Sequence, residues 1–318
     1  GWGQTSAALN MRTRRLIVRT LLYHWRTNLA VAAGVAVAVS VLTGALMVGD
    51  SVRSSLLSLA LVRIGKTDSA LQASRLFRER LADEIGAGAA VPLLVLEGIT
   101  VVPSSGRRAS KVLVYGVDER FWRFHGVADA PLDARGAWLS EPLAGELGAA
   151  TGDAILLRVE KPAEIPKESL FGRRENSMAA AGFSVRGTLP AARLGEFSLA
   201  PRQGSVRAMF VSLARLQKEL GQQGKVNTVL VAGKADAAAH ITLEDRGLKV
   251  RPVAGGVQIE SRAGLLPDHV VTAIEETAAE FQLRPVRLFT YLVNAIASGG
   301  RSIPYSLVTA IDLPELAG

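Results

Sequence analysis

The side chains that could perform acid–base or metal chemistry in this chain are few and scattered. Its four histidines are His24, His125, His240 and His269, and no two have a spacing typical of metal ligands. Each is therefore interpreted as a surface or interfacial residue. The chain has no cysteine, which excludes a disulfide framework and a thiolate metal site. The sequence predicts no metal site.

Carboxylates occur in adjacent pairs, at Asp118–Glu119, Glu244–Asp245 and Glu275–Glu276, on segments predicted to be exposed. Sequence neighbours point to different sides of a helix, so they make poor acid–base pairs. No glycine-rich loop ends in Gly-Lys-Ser/Thr, and neither H-E-x-x-H nor G-x-S-x-G occurs. The sequence predicts no catalytic residue, no cofactor site and no enzyme activity.

The dominant element is the uncharged run from Leu29 to Gly49. As a helix it would cover about 30 Å, the thickness of a bilayer core. Ser40 and Thr43 are its polar residues, and their hydroxyls can bond to the preceding turn. This run predicts one transmembrane helix. The alternatives are the buried helix of a soluble protein, which usually has a polar stripe, and a cleaved signal peptide, which has a shorter apolar core.

The flanks of the span predict its orientation. Five arginines and no acidic residue precede it, at Arg12, Arg14, Arg15, Arg19 and Arg26, whereas Asp50 follows it directly. Positive charge is retained on the cytoplasmic side. We therefore expect a cytoplasmic N-terminus and an extracytoplasmic, periplasmic main domain, anchored in the plasma membrane, which is the inner membrane of the cell.

Small residues recur every fourth position within the span, at Ala32, Ala36, Ser40 and Gly44. We call this set the small-residue ridge. Such spacing lets another helix approach closely in lipid, although an alanine-rich span can also show it by chance. If the ridge is a packing face, the helix has a partner outside these 318 residues.

The net charge of +8 at pH 7 does not indicate nucleic-acid binding, because the five arginines before the span supply most of it. With 48% hydrophobic and 21% charged residues, the composition is that of a globular protein with one apolar span. About 270 residues follow the span, enough for one large or two ordinary domains.

The pattern of the remaining chain predicts an α+β exterior domain with mixed or antiparallel sheets. Residues 1–28 form a cytoplasmic segment with an amphipathic lead-in helix over 12–28, which we expect to lie on the membrane lipid. Residues 29–49 form the span and 50–66 a stalk helix that ends at Gly65. Residues 67–318 form the exterior domain, with two subdomains as a possible division and an incomplete C-terminal end. Residues 1–10, which precede Met11, are left out of the fold prediction.

Within this domain, 70–72 is predicted as a strand and Ser74–Ile85 as a helix. Residues 89–102 and 109–117 are predicted as a hairpin, and Phe121, Trp122 and Phe124 as a core cluster on a short helix.

Three later segments complete the prediction. Residues 162–176 are predicted as a surface loop, and 236–245 as a helix. Residues 267–281 are predicted as an amphipathic helix with Val270, Val271, Ile274 and Ala278 facing inward.

Several motifs occur in an order that resembles a known family. They are Gly49-Asp50-Ser51-Val52-Arg53, Tyr115-Gly116-Val117-Asp118 with Phe121-Trp122, and Trp138-Leu139-Ser140-Glu141-Pro142-Leu143-Ala144 with Gly152-Asp153. Together with the basic lead-in and the single span, they resemble the MacB/FtsX-like permeases of ABC transporters. The resemblance runs from Met11 to about Val231 and implies a MacB-like periplasmic core domain after the first transmembrane helix.

The resemblance implies a permease that couples ATP hydrolysis by a separate ATPase subunit to export or extraction of a substrate. It also implies a second permease copy or a paralogue as partner. The family has three further spans towards its C-terminus, and no second long apolar run occurs here, so a fragment of a longer permease is expected. The alternatives are a single-pass anchored binding or scaffolding protein and, less favoured, an anchored hydrolase.

Overall fold

The structure is a computed structural model that describes residues 15–86, 88–127, 130, 132–162, 178–200 and 204–311. The surface loop predicted over residues 162–176 lies almost wholly outside these residues.

The N-terminal part is helical. Residues 15–23 form helix α1, a turn follows at His24, and α2 runs without a break over Trp25–Ile64. The predicted lead-in helix thus ends early, since 25–28 belong to α2. The Asn28 side-chain amide donates a 3.3 Å hydrogen bond to the carbonyl of Leu21, the acceptor that the Trp25 N–H would use in an unbroken helix.

Helix α2 joins the predicted span to the predicted stalk. It is long and apolar enough to cross a membrane, and the residues of its apolar part are exposed. At 40 residues it extends for about 60 Å. It ends at Ile64 and is capped by Gly65, the position at which the sequence predicted its end.

The first eight strands of the domain form one eight-stranded mixed sheet in the order β1-β8-β2-β3-β7-β4-β6-β5. Their bounds are β1 Ser69–Arg78, β2 Ala90–Val101, β3 Arg108–Val117, β4 Gly136–Ser140, β5 Ala154–Glu160, β6 Met178–Leu189, β7 Ala208–Ser212 and β8 Lys225–Val231. The far half of β2 also pairs with β5, so six strands close into a ring, while its first half pairs with β8. This α+β architecture after one apolar helix confirms the predicted fold class, and the hairpin of β2 and β3 is as predicted.

Short helices follow several strands. They are α3 Leu81–Gly86, α4 Glu119–His125, α5 Glu141–Leu147 and α6 Leu213–Leu220, with 3₁₀ turns at Ala191–Arg193 and Ala237–His240. The side chain of Asp118 caps α4 by accepting from the Arg120 N–H, and Ser140 caps α5 by accepting from the Leu143 N–H.

Two cores lie on opposite faces of the sheet, because successive strand residues alternate between faces. Leu94, Val114 and Met209 belong to one core, which also buries α3, α5 and α6. The second core is aromatic. It contains residues from β3, β7, α4 and the segment after β6, namely Tyr115, Phe121, Trp122, Phe124, Phe197 and Phe210. The predicted core role of the α4 aromatic residues is confirmed.

The C-terminal part consists of β9 Leu248–Val253, β10 Gly256–Ser261, α7 Asp268–Glu280, β11 Phe289–Ser298 and β12 Arg301–Ala310. Strands β9 and β10 form one hairpin, and β11 and β12 form another. The residues predicted to face inward from α7 are among its less exposed ones, yet α7 has no buried residue.

Two predicted helices of the domain were wrong. The predicted helix Ser74–Ile85 is strand to Arg78 and helix only from Leu81. An irregularity in the pairing with β8 between Gln72 and Phe77 disturbs the alternation of β1, so that Leu76 and Phe77 both become covered, as on a helix face. The predicted helix 236–245 contains only the 3₁₀ turn Ala237–His240, because Asp245 bonds Thr242 and Arg78 instead.

Candidate functional site at the end of the membrane helix

The small-residue ridge, predicted to pack against another helix, lies entirely on α2. Ala32, Ala36, Ser40 and Gly44 are all exposed, and a Cβ atom added at Gly44 would meet no atom within 4 Å. A close helix approach along this face therefore meets no obstacle from the described residues. That it is a packing face stays a prediction.

The opposite end of α2 is fixed to the exterior domain by Arg63, the one buried residue of this helix. Its guanidinium forms a 2.6 Å ion pair with Glu196 and donates a 2.8 Å hydrogen bond to the carbonyl of Gly204. The Ser198 N–H donates to the Arg63 carbonyl at 3.4 Å. The segment after β6 thus holds both the side chain and the backbone of the last helical turn.

Gly65 follows directly and has a conformation that other residues rarely adopt, with φ 60° and ψ −128°. A Cβ atom here would lie 2.6 Å from Nδ1 of His125 and 3.0 Å from Cδ2 of Leu194. Both the backbone angles and the space require glycine. The helix end is therefore packed directly against α4 and the segment after β6.

His125 is the contact on the domain side. Its Nδ1 accepts a 3.2 Å hydrogen bond from the backbone N–H of Lys66, so Nε2 carries the proton in the neutral ring. Nε2 is buried, with no hydrogen-bond partner among the described residues. Burial, aided by the positive charge of Lys66, lowers the pKa of His125 to about 4. The ring is therefore neutral at pH 7.

The interpretation of His125 as a surface or interfacial residue was wrong, since it is only 8% exposed. It continues the apolar side of α4 and packs edge-on against Phe121, Phe124 and Phe197, at centroid distances of 4.7, 4.9 and 5.5 Å. His24, His240 and His269 are exposed, as predicted.

Aromatic contacts extend from this junction into the sheet. Phe197 packs on Tyr115 of β3 at 5.3 Å, and the Tyr115 hydroxyl donates a 2.8 Å hydrogen bond to the Phe197 carbonyl. Tyr115 in turn stacks on Phe210 of β7 at 5.1 Å. The residues that hold the end of α2 therefore contact two neighbouring strands through closely packed rings.

The chain leaves the junction straight into the edge of the sheet. The Asp68 N–H donates to the Val231 carbonyl at 3.0 Å, and its carboxylate accepts from the Gly233 N–H at 2.6 Å. Ser69 then begins the pairing of β1 with β8. Two residues separate Gly65 from these bonds, too few for a flexible linker.

A separate charged cluster lies between α4, α3 and the end of β1. Arg120 forms ion pairs with Glu79, Asp83 and Asp118, and the Gln217 side chain donates to Glu79 at 2.8 Å. Burial lowers the pKa of Arg120, but the hydrogen bonds and charges of Asp118 and Glu79 outweigh it and raise the pKa. Every carboxylate of the cluster faces this arginine, so the cluster braces the helices.

The adjacent carboxylates behave as separate residues. Asp118 caps α4, while Glu275 pairs with Arg287. Asp245, predicted to be exposed, is instead buried and accepts two hydrogen bonds from the Nε of Arg78, at 2.9 and 3.0 Å. Within the described part of the chain, no three His, Asp or Glu residues are arranged to hold a metal ion.

The sequence predicted the end of α2 at Gly65 but neither the Arg63 contact nor the packing of His125. Glu196 lies 133 residues after Arg63 in an irregular segment, so no local pattern joins them. A detectable signal was the aromatic pattern of α4, which places His125 beside Phe121 and Phe124 and directly before the cap Gly126.

Solved structures that are similar to this chain include two extracytoplasmic domains. One is the periplasmic region of MacB from Actinobacillus actinomycetemcomitans, which is 11% identical, with 64% of this chain and 84% of that chain covered and a TM-score of 0.33. The other is the extracellular domain of the noncanonic ABC-type transporter YknZ from Gram-positive bacteria, at 12% identity, 54% and 87% coverage and a TM-score of 0.33. No protein-family model and no curated protein matches this chain.

Proposed function

We propose that this chain is the N-terminal part of an ABC transporter permease. In this proposal, a separate ATPase subunit hydrolyses ATP, and the movement reaches the exterior domain through α2, for export or extraction of a substrate. The motifs that resemble the MacB/FtsX-like family support this proposal, because they lie at junctions between a strand and the helix that follows it. Residues 115–118 join β3 to α4, and 138–144 join β4 to α5.

The observation that carries the proposal is that α2 is one helix from the span to the junction. Of its 40 residues, four precede the span and about 20 suffice to cross the bilayer, and the last 15 residues, about 22 Å, extend beyond Gly49. An unbroken helix with its last turn clamped by Arg63 can pass a rotation or a shift to the domain. A flexible tether would dissipate such a movement.

The orientation in this proposal places the N-terminus in the cytoplasm and the domain on the periplasmic or extracytoplasmic side of the inner membrane. The arginines before the span support it through the positive-inside rule. An ATPase subunit would then act on the cytoplasmic side, and a second permease copy or paralogue would contact the small-residue ridge within the membrane.

The test is capture of the intact chain from solubilised membranes of its native host, followed by measurement of ATP hydrolysis in the eluate. We expect vanadate-sensitive hydrolysis with the native chain. The double variant S40L/G44L should insert, since leucine favours the membrane, but it should lose the co-purified activity because bulk on the ridge keeps helices apart.

The matched control is V35L/V39L, which adds bulk on another side of the same helix and should keep the activity. Equal behaviour of the two variants would remove the ridge from the proposal. Absence of ATP hydrolysis from every eluate, the native one included, would contradict the permease itself and favour a single-pass anchored binding or scaffolding protein.

A further inference from the structure

Two parts of the chain have the same order of elements. Strand β1, helix α3 and the hairpin β2–β3 follow one another near the start of the domain. Strand β10, helix α7 and the hairpin β11–β12 repeat this strand–helix–hairpin order at its end. Recurrence of one supersecondary unit in a chain is the signature of an internal repeat.

The sequences of the two units agree where their structures correspond. Residues 106–117 align without a gap to residues 300–311, and four of these twelve positions are identical. The identical pairs are Gly106 and Gly300, Arg107 and Arg301, Leu113 and Leu307, and Val114 and Val308.

The helices share one apolar spacing. Leu81, Ala82 and Ile85 in α3 match Val270, Val271 and Ile274 in α7, and the dipeptide Ser-Arg occurs before each helix, at 74–75 and at 261–262.

A backbone feature supports the alignment independently. Four non-glycine residues in the described part of the chain have a positive φ, and two of them are Lys111 at 54° and Tyr305 at 50°. These two occupy the same aligned position. In each hairpin the next residue is paired, Val112 with Gly98 and Ser306 with Val293, and the register shifts beside Lys111 but not beside Tyr305. Such angles are uncommon in residues other than glycine.

The surroundings of the two hairpins differ. In the first, the outer edge of β3 pairs in parallel with β7, from Leu113 opposite Ala208 to Val117 opposite Ser212. In the second, β12 pairs with β11 alone among the described strands. Leu307, which aligns with Leu113, is 74% exposed. A long and almost uncharged strand with an open edge readily accepts another strand.

We infer that residues 256–311 are a second copy of the β1–α3–β2–β3 unit, and that the free edge of β12 is a docking site for an apolar β-strand running parallel to it. The occupant resembles β7, whose residues 208–212 are Ala-Met-Phe-Val-Ser. Charge supports this choice, because Arg301 is the single charged residue between 288 and 311. Main-chain hydrogen bonds would provide affinity and apolar side chains the selectivity. This inference does not depend on the proposed transport function.

The register of β7 on β3 gives a direct test, because the chain has no cysteine of its own. The full chain carrying L307C is placed in lipid nanodiscs and mixed under mild oxidant with synthetic peptides of residues 205–213. One peptide has cysteine in place of Ala208, the residue opposite the equivalent Leu113. The other has cysteine in place of Ser212, four residues along the strand.

Adjacent strands bring opposite Cα atoms within disulfide range, whereas four residues add about 13 Å. We expect the first peptide to cross-link at least tenfold faster than the second, and an excess of cysteine-free peptide to suppress it. The matched control is V257C on β10, at a position that is 61% exposed. It should show no preference between the peptides, because β10 aligns with β1, the last strand of its sheet.

Three results would overturn the inference. Equal cross-linking of both peptides to L307C indicates unspecific apolar adhesion. Disulfide-linked dimers of the L307C chain, formed in the same time course without peptide, identify a second copy as the occupant. Absence of any cross-link excludes strand addition at this edge. Folding does not confuse these outcomes, since Leu307 is exposed and its replacement removes no buried contact.

Discussion

The packing of Gly65 against His125 makes the substitution G65A a sharp test of the junction. Alanine must adopt φ 60° and ψ −128°, a region almost restricted to glycine. Holding a residue in such a region costs about 1–3 kcal/mol. Its Cβ would also lie 2.6 Å from Nδ1 of His125, and forcing a methyl group into a packed site costs a further 1–3 kcal/mol or so.

We therefore expect G65A to lower the free energy of unfolding by about 2–6 kcal/mol. Urea unfolding of the full chain in detergent, followed by circular dichroism of the sheet, measures this loss. With a denaturant slope of about 2 kcal/mol per molar, the midpoint should fall by about 1–3 M.

The control is G221A, at the C-terminal cap of α6. Gly221 also has a positive φ, 67°, but a Cβ there meets no atom within 4 Å. Its cost should be only about 1–2 kcal/mol, from the backbone alone. The double variant G65A/H125A should lose at least about 1 kcal/mol less free energy of unfolding than the sum of the two single variants, because the clashing ring is removed. The reasoning is refuted if G65A and G221A lower the midpoint equally, since the contact with His125 would then contribute nothing.

Three further predictions concern the same junction. R63M should lower the free energy of unfolding by about 2–4 kcal/mol, because Glu196 loses its charged partner at a site where it is only 19% exposed; in urea unfolding, R63M/E196Q should cost less than the sum of the single variants. The ring of His125 binds a proton near pH 6.5 in the unfolded chain but only near 4 in the folded one, so the free energy of unfolding should fall by about 3 kcal/mol as the pH decreases through this window. H125Q should abolish this pH dependence, and an unchanged pH dependence would contradict the buried neutral ring. A reporter that is active only after export should be active when fused after Gly65, and activity of a cytoplasm-dependent reporter there would reverse the topology.

The parts of the fold that sequence reasoning predicted depend on local signals. The hairpin β2–β3 has two β-rich runs around a turn, and α5 has Ser140 as its cap with Pro142 in its first turn. The closed ring of strands was not predicted. It requires β3 to pair with β7 about 95 residues later, and β2 to divide its edge between β5 and β8. Nothing in a local pattern specifies such pairings.

Most contacts of the candidate site could not be predicted from local patterns, for a similar reason. In the sequence, Arg63 is an ordinary charge of the predicted stalk, and only the fold brings Glu196 to it. His125 is likewise an ordinary polar residue in the sequence, and only the packing of the aromatic side of α4 buries it. The internal repeat is different, because both copies are present in the sequence. Comparison of the chain with itself aligns Gly106-Arg107 with Gly300-Arg301 from the residue types alone.

The construction of the junction bears on how α2 could act. A helix of about 60 Å transmits a rotation only if its end cannot turn independently of the domain. Glycine after a helix usually permits such turning, yet Gly65 is enclosed by His125 and Leu194. Arg63 fixes the turn before it, and Asp68 bonds the sheet edge after it. A torque on α2 would thus act on the aromatic core and on β1 together. A substitution that weakens the packing at Gly65 should therefore uncouple the domain from α2, even where the helix stays intact.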